Sequence, residues 1–141
     1  MAFRTSIVTR FGDVDFAGGL YYPNLFHYFH MAFEDYLRSE VGLDYRTLFQ
    51  DYRIGFPLVH LEVTFQKPIH YGDTIVVELS AEKIGRTSVS WSYRMFIEGK
   101  EEKLAVDCKM VTVCMKTGTN EKLEIPLWLK EKFQSLESLK G

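Results

Sequence analysis

Two aspartates, a glycine pair and a proline crowd into one short stretch near the N-terminus. It reads Phe11-Gly12-Asp13-Val14-Asp15-Phe16-Ala17-Gly18-Gly19-Leu20-Tyr21-Tyr22-Pro23-Asn24. A carboxylate beside a helix start suits attack on an acyl carbonyl. The first N–H groups of a helix have no intrahelical partner, and that end carries partial positive charge. Pro23 has no N–H, so the Tyr22 amide just before it is a donor free to turn to a ligand. Such a donor can hold a carbonyl oxygen and stabilise the negative charge that grows on it. Gly18 and Gly19 permit close approach of a substrate to the backbone. Asp15 is then placed to attack the carbonyl or to deprotonate water. Spacing alone leaves a structural reading open for Asp13 and Asp15 alike, because aspartate caps helices and closes Asx-turns.

Other chemistry-bearing groups are fewer. His27, His30 and Glu34 recur at helical spacing. Three groups confined to one helix, with no further ligand nearby in sequence, fit polar packing or an interface better than a metal, and no metal is expected. Lys83, Arg86, Thr87 and Ser88 flank a strand-to-strand turn. They are donors for phosphate oxygens or an ordinary solvated turn. Leu58, Val59 and His60 precede a long strand and are candidates for lining an acyl pocket. The chain contains no G-x-S-x-G elbow, no G-x-x-x-x-G-K loop and no G-x-G-x-x-G fingerprint.

The elements that must position these residues are legible from periodicity. Phe3 to Arg10 alternates as a strand. From Pro23 the residues Leu25, Phe26, Tyr28, Phe29, Met31, Ala32, Phe33, Tyr36 and Leu37 are apolar around most of a helix. That pattern predicts a helix buried on nearly all sides, about 18 residues or about 27 Å long. Gly42 is placed to stop it. Asp44 to Gln50 adds a short helical turn. The period then becomes two: Leu61, Val63 and Phe65 share one face, followed by Ile75, Val77 and Leu79. A further run carries Val89, Trp91, Tyr93, Met95 and Ile97, and the last carries Leu104, Val106, Cys108, Met110, Thr112 and Cys114. Pro126 opens a C-terminal helix. Short connections predict that consecutive strands are antiparallel neighbours. The expectation is one α+β domain over 1–141, a single antiparallel sheet wrapped around one apolar helix.

Gly12-Asp13-x-Asp15-x-Ala17-Gly18 with Tyr21-Tyr22-Pro23-Asn24 resembles the active-site signature of the 4-hydroxybenzoyl-CoA thioesterases, within the hotdog-fold acyl-CoA thioesterases. Pro68-x-x-Tyr71-Gly72-Asp73, Thr117-Gly118 and Ile125-Pro126 resemble further landmarks of that family, so the likeness spans nearly the whole chain. It implies a hotdog fold and hydrolysis of an aryl- or short- to medium-chain acyl-CoA to free acid and CoA. Asp15 would be the catalytic carboxylate and the Tyr22 amide the oxyanion donor. Gly18, Gly19, Leu58, Val59 and His60 would meet the substrate, and Lys83, Arg86, Thr87 and Ser88 the CoA phosphates. Coenzyme A is part of the substrate, and no separate cofactor is implied. A related Tol-Pal-associated branch often has histidine where this chain has Pro23, which favours the hydroxybenzoyl-type branch. The family forms dimers, often paired into tetramers, with sites at the subunit boundary. Two rival activities share these features. One is an acyl-thioester hydratase or dehydratase, which would need a histidine beside the carboxylate, and none lies between Asp13 and Tyr22. The other is a non-catalytic acyl-CoA-binding protein.

Bulk properties narrow the partners. A net charge of −2 with no basic block argues against nucleic acid. No apolar run is long enough to span a membrane, and the first residues lack the apolar core of a signal peptide. Cys108 and Cys114, six positions apart on one strand, would be about 20 Å apart, beyond disulfide reach. Free thiols fit a reducing cytoplasm. A small domain with a broad sheet face and open edges predicts a homo-oligomer, a dimer or a dimer of dimers.

Overall fold

The computed structural model describes residues 1–137. The chain runs β1 (Phe3–Val8), α1 (Asn24–Tyr36), a π-helical turn (Leu37–Val41), α2 (Tyr45–Gln50), β2 (Ile54–Gly55), β3 (Leu58–Phe65), β4 (Thr74–Ile84), β5 (Ser88–Ile97), β6 (Lys103–Val113), β7 (Met115–Lys116) and α3 (Leu127–Gln134). Five strands form one antiparallel sheet in the order β1-β4-β5-β6-β3, and β2 pairs with β7. The sheet wraps α1, as the hotdog expectation required.

Local signals place the helices where the sequence put them. Pro23 already has helical dihedrals, φ −63° and ψ −26°, as the residue leading into α1. The α-helical part spans 13 residues and the π-helical turn five, giving the expected length. Gly42 ends it at φ +86°, where its N–H donates to the Leu37 carbonyl at 2.8 Å. A residue with a Cβ resists that left-handed conformation, so glycine is the natural stop. Asp44 caps α2 by accepting from the Thr47 N–H at 2.8 Å.

The core lies between α1 and the concave sheet face. Leu25, Tyr28, Phe29, Ala32, Phe33 and Tyr36 are buried. They recur at the 3–4 residue spacing of one helix face. They meet Ile75, Val77 and Leu79 of β4 and Val89, Trp91, Tyr93 and Met95 of β5, which alternate as a one-sided strand must. Phe133 of α3 closes one end, its ring 4.9 Å from Trp91 in edge contact. The other sheet face is charged, with Arg4 on Glu78 at 2.7 Å and Lys109 on Glu82. Cys108 and Cys114 are free and buried, and burial pushes their thiols up to about 12 and about 11.

Two sequence expectations fail. First, β3 and β4 are consecutive and closely connected, yet they are not neighbours. β3 pairs with β6 at the sheet edge, and β4 lies two strands further in. The connection is diverted by backbone bonds elsewhere. Gln66 and Lys67 N–H both donate to the Ala105 carbonyl, and the Ile69 carbonyl accepts from Leu20 N–H at 2.7 Å. Second, α1 is not buried all round. Phe26, His27 and His30 are exposed. The sheet covers only the opposite side, so an apolar residue type at position 26 does not guarantee a covered position.

Candidate active site

The acidic segment folds as a small hairpin against the start of α1. Val14 bridges Leu20, and Tyr21 N–H donates to the Asp13 carbonyl at 3.0 Å. Leu20, Gly19 and Gly18 are tied to the segment before β4 through Ile69, His70 and Tyr71. Gly18 sits at φ +85°, a conformation the turn requires.

The two aspartates of the hairpin have different surroundings. Asp13 is pinned. Its Oδ2 accepts from the Tyr28 hydroxyl at 2.6 Å and from the Arg10 N–H at 3.1 Å. Its carbonyl also accepts from the Asn24 side-chain amide at 2.9 Å. Burial first, and the Asp13 carboxylate second, push the Tyr28 phenol well above its ordinary value, so it stays a neutral donor. Asp13 thereby fastens the hairpin to α1.

Asp15 is exposed at the hairpin tip. Its N–H donates to the Gly19 carbonyl at 2.8 Å, and its carbonyl accepts from Gly18 N–H at 2.9 Å. Its Oδ1 accepts from the Ala17 N–H at 2.9 Å, an Asx-turn. Its Oδ2 has no partner among the described residues. At the other end of the hairpin, where the chain enters α1, the Tyr22 N–H also donates to no described acceptor, while the Tyr22 carbonyl accepts from Leu25 N–H at 3.1 Å. A carboxylate oxygen and a main-chain donor at a helix start are thus both open to a ligand.

The remaining sequence candidates fall into two places. Gly19 and Tyr22 line a small cleft of about 100 Å³ with Leu25, Phe65 and Ile69. Leu58 lines a separate cavity of about 200 Å³ beneath α1. Val59 and His60 lie exposed on β3, with His60 bonded to Glu62 at 3.1 Å. Lys83, Arg86, Thr87 and Ser88 sit in and around the β4–β5 turn. Arg86 pairs with Glu124 at 2.7 Å, and the turn is braced by bonds from Cys114 N–H to Thr87 and from Gly85 N–H to Ser88.

These groups do not converge within one chain. The Asp15 hairpin contacts the segment leading into the Thr74 end of β4. Lys83 to Ser88 lie at the other end of that strand, and Leu58 opposite Thr112 marks the same far end. An 11-residue strand separates them by about 30 Å.

The cavity beneath α1 was not singled out from sequence. Its walls are aromatic: Phe26, Phe29, Phe33, Tyr45, Phe56 and Trp91. The spacing of Phe26, Phe29 and Phe33 on one side of the helix was a signal, but it reads equally as core. His30 is at this cavity, with Nδ1 2.9 Å from Glu34 Oε2. Among the described residues no three histidine, cysteine or acidic side chains are gathered as metal ligands. No helix among them is long and apolar enough to cross a membrane.

Comparison with known proteins follows the same line. A family model described as the thioesterase-like superfamily matches residues 9–133. A 1,4-dihydroxy-2-naphthoyl-CoA hydrolase from Synechococcus elongatus is 29% identical over 128 residues, covering 90% of this chain and 91% of that protein. The protein of the same description from Crocosphaera subtropica is 31% identical over 125 residues, covering 86% and 90%. The crystal structure of a 1,4-dihydroxy-2-naphthoyl-CoA thioesterase from Synechocystis superposes with a TM-score of 0.84 at 23% identity, over 96% of this chain and 98% of that one. At that identity the likeness bears on the fold. With a hotdog architecture and a family match over residues 9–133, this chain belongs to the thioesterase-like superfamily.

Proposed function

We propose that the protein hydrolyses an acyl-CoA thioester to the free acid and CoA, with Asp15 as the reacting carboxylate and the Tyr22 N–H as oxyanion donor. The observation that carries this reading is the contrast between the two aspartates. Asp13 Oδ2 is committed to Tyr28 and Arg10, whereas Asp15 Oδ2 has no partner among the described residues. The substrate carbonyl oxygen lies on the Tyr22 amide. An oxygen adds to the acyl carbon, either from Asp15 itself or from a water that gives Asp15 its proton. The C–S bond breaks and CoA leaves as thiolate, which needs little protonation because a thiol's pKa is near 8.5. In the nucleophilic route, water then opens the acyl-Asp15 anhydride.

The second half of the site comes from a second copy of the chain. A CoA thioester held at Asp15 cannot reach Lys83, Arg86, Thr87 and Ser88 of the same subunit across about 30 Å of strand. β3 supplies a joining edge: it has one sheet partner, and Leu58, Val59 and Phe65 stand exposed along it. Pairing two such edges antiparallel brings the far end of one sheet towards the acidic hairpin of the other.

Thiol release from an acyl-CoA panel tests both statements. Asp15→Asn should lower kcat at least about 100-fold. Mixing inactive Asp15→Asn with an inactive Arg86→Ala/Lys83→Ala variant should restore about a quarter of the sites after subunit exchange. Wild-type turnover by Asp15→Asn would remove the carboxylate from the mechanism. Failure of mixed subunits to recover activity would confine the site to one chain.

A further inference from the structure

Of the aromatic rings on residues 11–22, Phe16 stands alone. Phe11 meets Tyr71 edge-on at 6.0 Å, and Tyr21 meets Tyr22 at 5.5 Å. Phe16 packs on no ring among the described residues, and at 109% exposure its whole side chain lies in solvent. The turn holds it there. Gly18 N–H donates to the Asp15 carbonyl at 2.9 Å and Ala17 N–H to Asp15 Oδ1 at 2.9 Å, which leaves Phe16 at the outer corner. A ring fixed in water on a braced turn forgoes the burial that its apolar surface favours.

The cavity beneath α1 offers that burial. Phe29, Phe33, Phe56 and Trp91 wall it, and its volume is about 200 Å³. An apolar cavity of about 150 Å³ already holds benzene, so a phenylalanine ring fits. Leu58 lines the cavity and is exposed, so it opens at the β3 edge. Within one chain Phe16 is held away from that opening. Its hairpin is bonded to the segment before Thr74, whereas Leu58, opposite Thr112, marks the far end of the sheet.

A second copy of the chain removes this separation. Pairing two β3 edges antiparallel over Leu58–Phe65 sets the partner's Leu58 about 5 Å from Phe65. Phe65 lines the small cleft with Gly19 and Tyr22, while the partner's Leu58 brings its aromatic cavity with it. Phe16 is three residues from Gly19, a reach of at most about 10 Å. We propose that Phe16 of each subunit enters the aromatic cavity of its partner across the β3 edge. Two-fold symmetry makes the contact twice per dimer. The proposal rests on the β3-edge pairing described above and not on hydrolysis.

Two measurements test it. The first is cross-linking with a short bismaleimide. Phe16 and Leu58 are both exposed, so cysteine at either position disturbs little packing. Cys108 and Cys114 are buried, which leaves the introduced thiols to react. After subunit exchange, a mixture of Phe16→Cys and Leu58→Cys should give covalent dimers on a denaturing gel, and neither variant alone should. The second is sedimentation across a dilution series. Phe16→Ala should raise the dimer dissociation constant about 100-fold, about tenfold for each of two rings, and Phe16→Leu should restore most of the loss. In a Trp128→Phe background Trp91 is the remaining tryptophan. Its fluorescence should become several-fold more sensitive to acrylamide in Phe16→Ala, because the ring no longer covers it.

A wild-type dimer that yields no mixed cross-link, or a Phe16→Ala dimer as tight as wild type, overturns the seating of Phe16 and leaves the edge pairing in place. A monomeric wild type overturns both. Neither result touches the role of Asp15, which thiol release by Asp15→Asn decides separately.

Discussion

Replacing Tyr28 by phenylalanine removes one oxygen and, with it, the bond that fastens the acidic hairpin to α1. Tyr28 is 1% exposed, and its hydroxyl lies 2.6 Å from Asp13 Oδ2. A hydrogen bond to a charged group contributes about 1.5–3 kcal/mol. Asp13 keeps the Arg10 N–H at 3.1 Å and is partly exposed, so the carboxylate is not orphaned. The lower part of that range applies, about 1.5–2 kcal/mol. For a domain of this size that is a fall in Tm of about 5–10 °C. Urea unfolding of wild type, Tyr28→Phe, Asp13→Asn and the double variant closes a cycle that isolates the pair. The coupling should be about 1.5 kcal/mol, with most of the loss in the second substitution absent once the first is made. A Tyr28→Phe protein as stable as wild type, or a coupling below about 0.5 kcal/mol, would refute the claim that Asp13 is the anchoring aspartate.

Three further outcomes follow from the geometry. Gly18→Ala should lose about 1–2 kcal/mol in urea unfolding, because φ is +85° while no atom crowds a Cβ there; Gly12→Ala, with ordinary φ and equally open space, should stay near neutral. The Asp44 carboxylate is held below its usual range by the Thr47 hydroxyl and N–H. Its contribution is therefore present above the ordinary carboxylate pKa and lost as pH falls through the lowered folded value, so the stability gap between wild type and Asp44→Ala should close on acidification below about pH 4; a gap that persists at low pH would refute it. Cys108 and Cys114 have burial-raised thiol pKa values and no access, so a thiol reagent at pH 8 should label neither in the native protein and both in guanidinium; rapid native labelling would refute the burial.

What the sequence disclosed and what it withheld divide by range. Gly42, Pro23, the short helical turn after Asp44 and the two-residue period of β4 and β5 depend on immediate neighbours, and each appears where it was read. The course of residues 66–73 depends on Ala105 and Leu20, which are remote in sequence, and so strand adjacency was misjudged. Asp13 and Asp15 are alike in type and differ by two positions. Arg10, three residues before Asp13, and Tyr28, 15 residues after it, tell them apart, and the second is remote in sequence. The cavity needs α2, Phe56 and β5 folded against α1 before it exists. Its wall residues therefore look in sequence like any other apolar stripe.

Phe29 and Phe33 serve two masters. They are staves of the hydrophobic core, at 1% and 6% exposure, and they also form the inner surface of a space large enough for a ring. Truncating either to widen that space would forfeit about 3–5 kcal/mol of folding energy, a large share of what a small domain possesses. Phe26, His30 and Leu58 border the same space from the exposed side, where a change of shape disturbs little packing. Reshaping this space is therefore tolerable at the rim and ruinous at the depth. Engineers who wish to retune this scaffold should begin with those three.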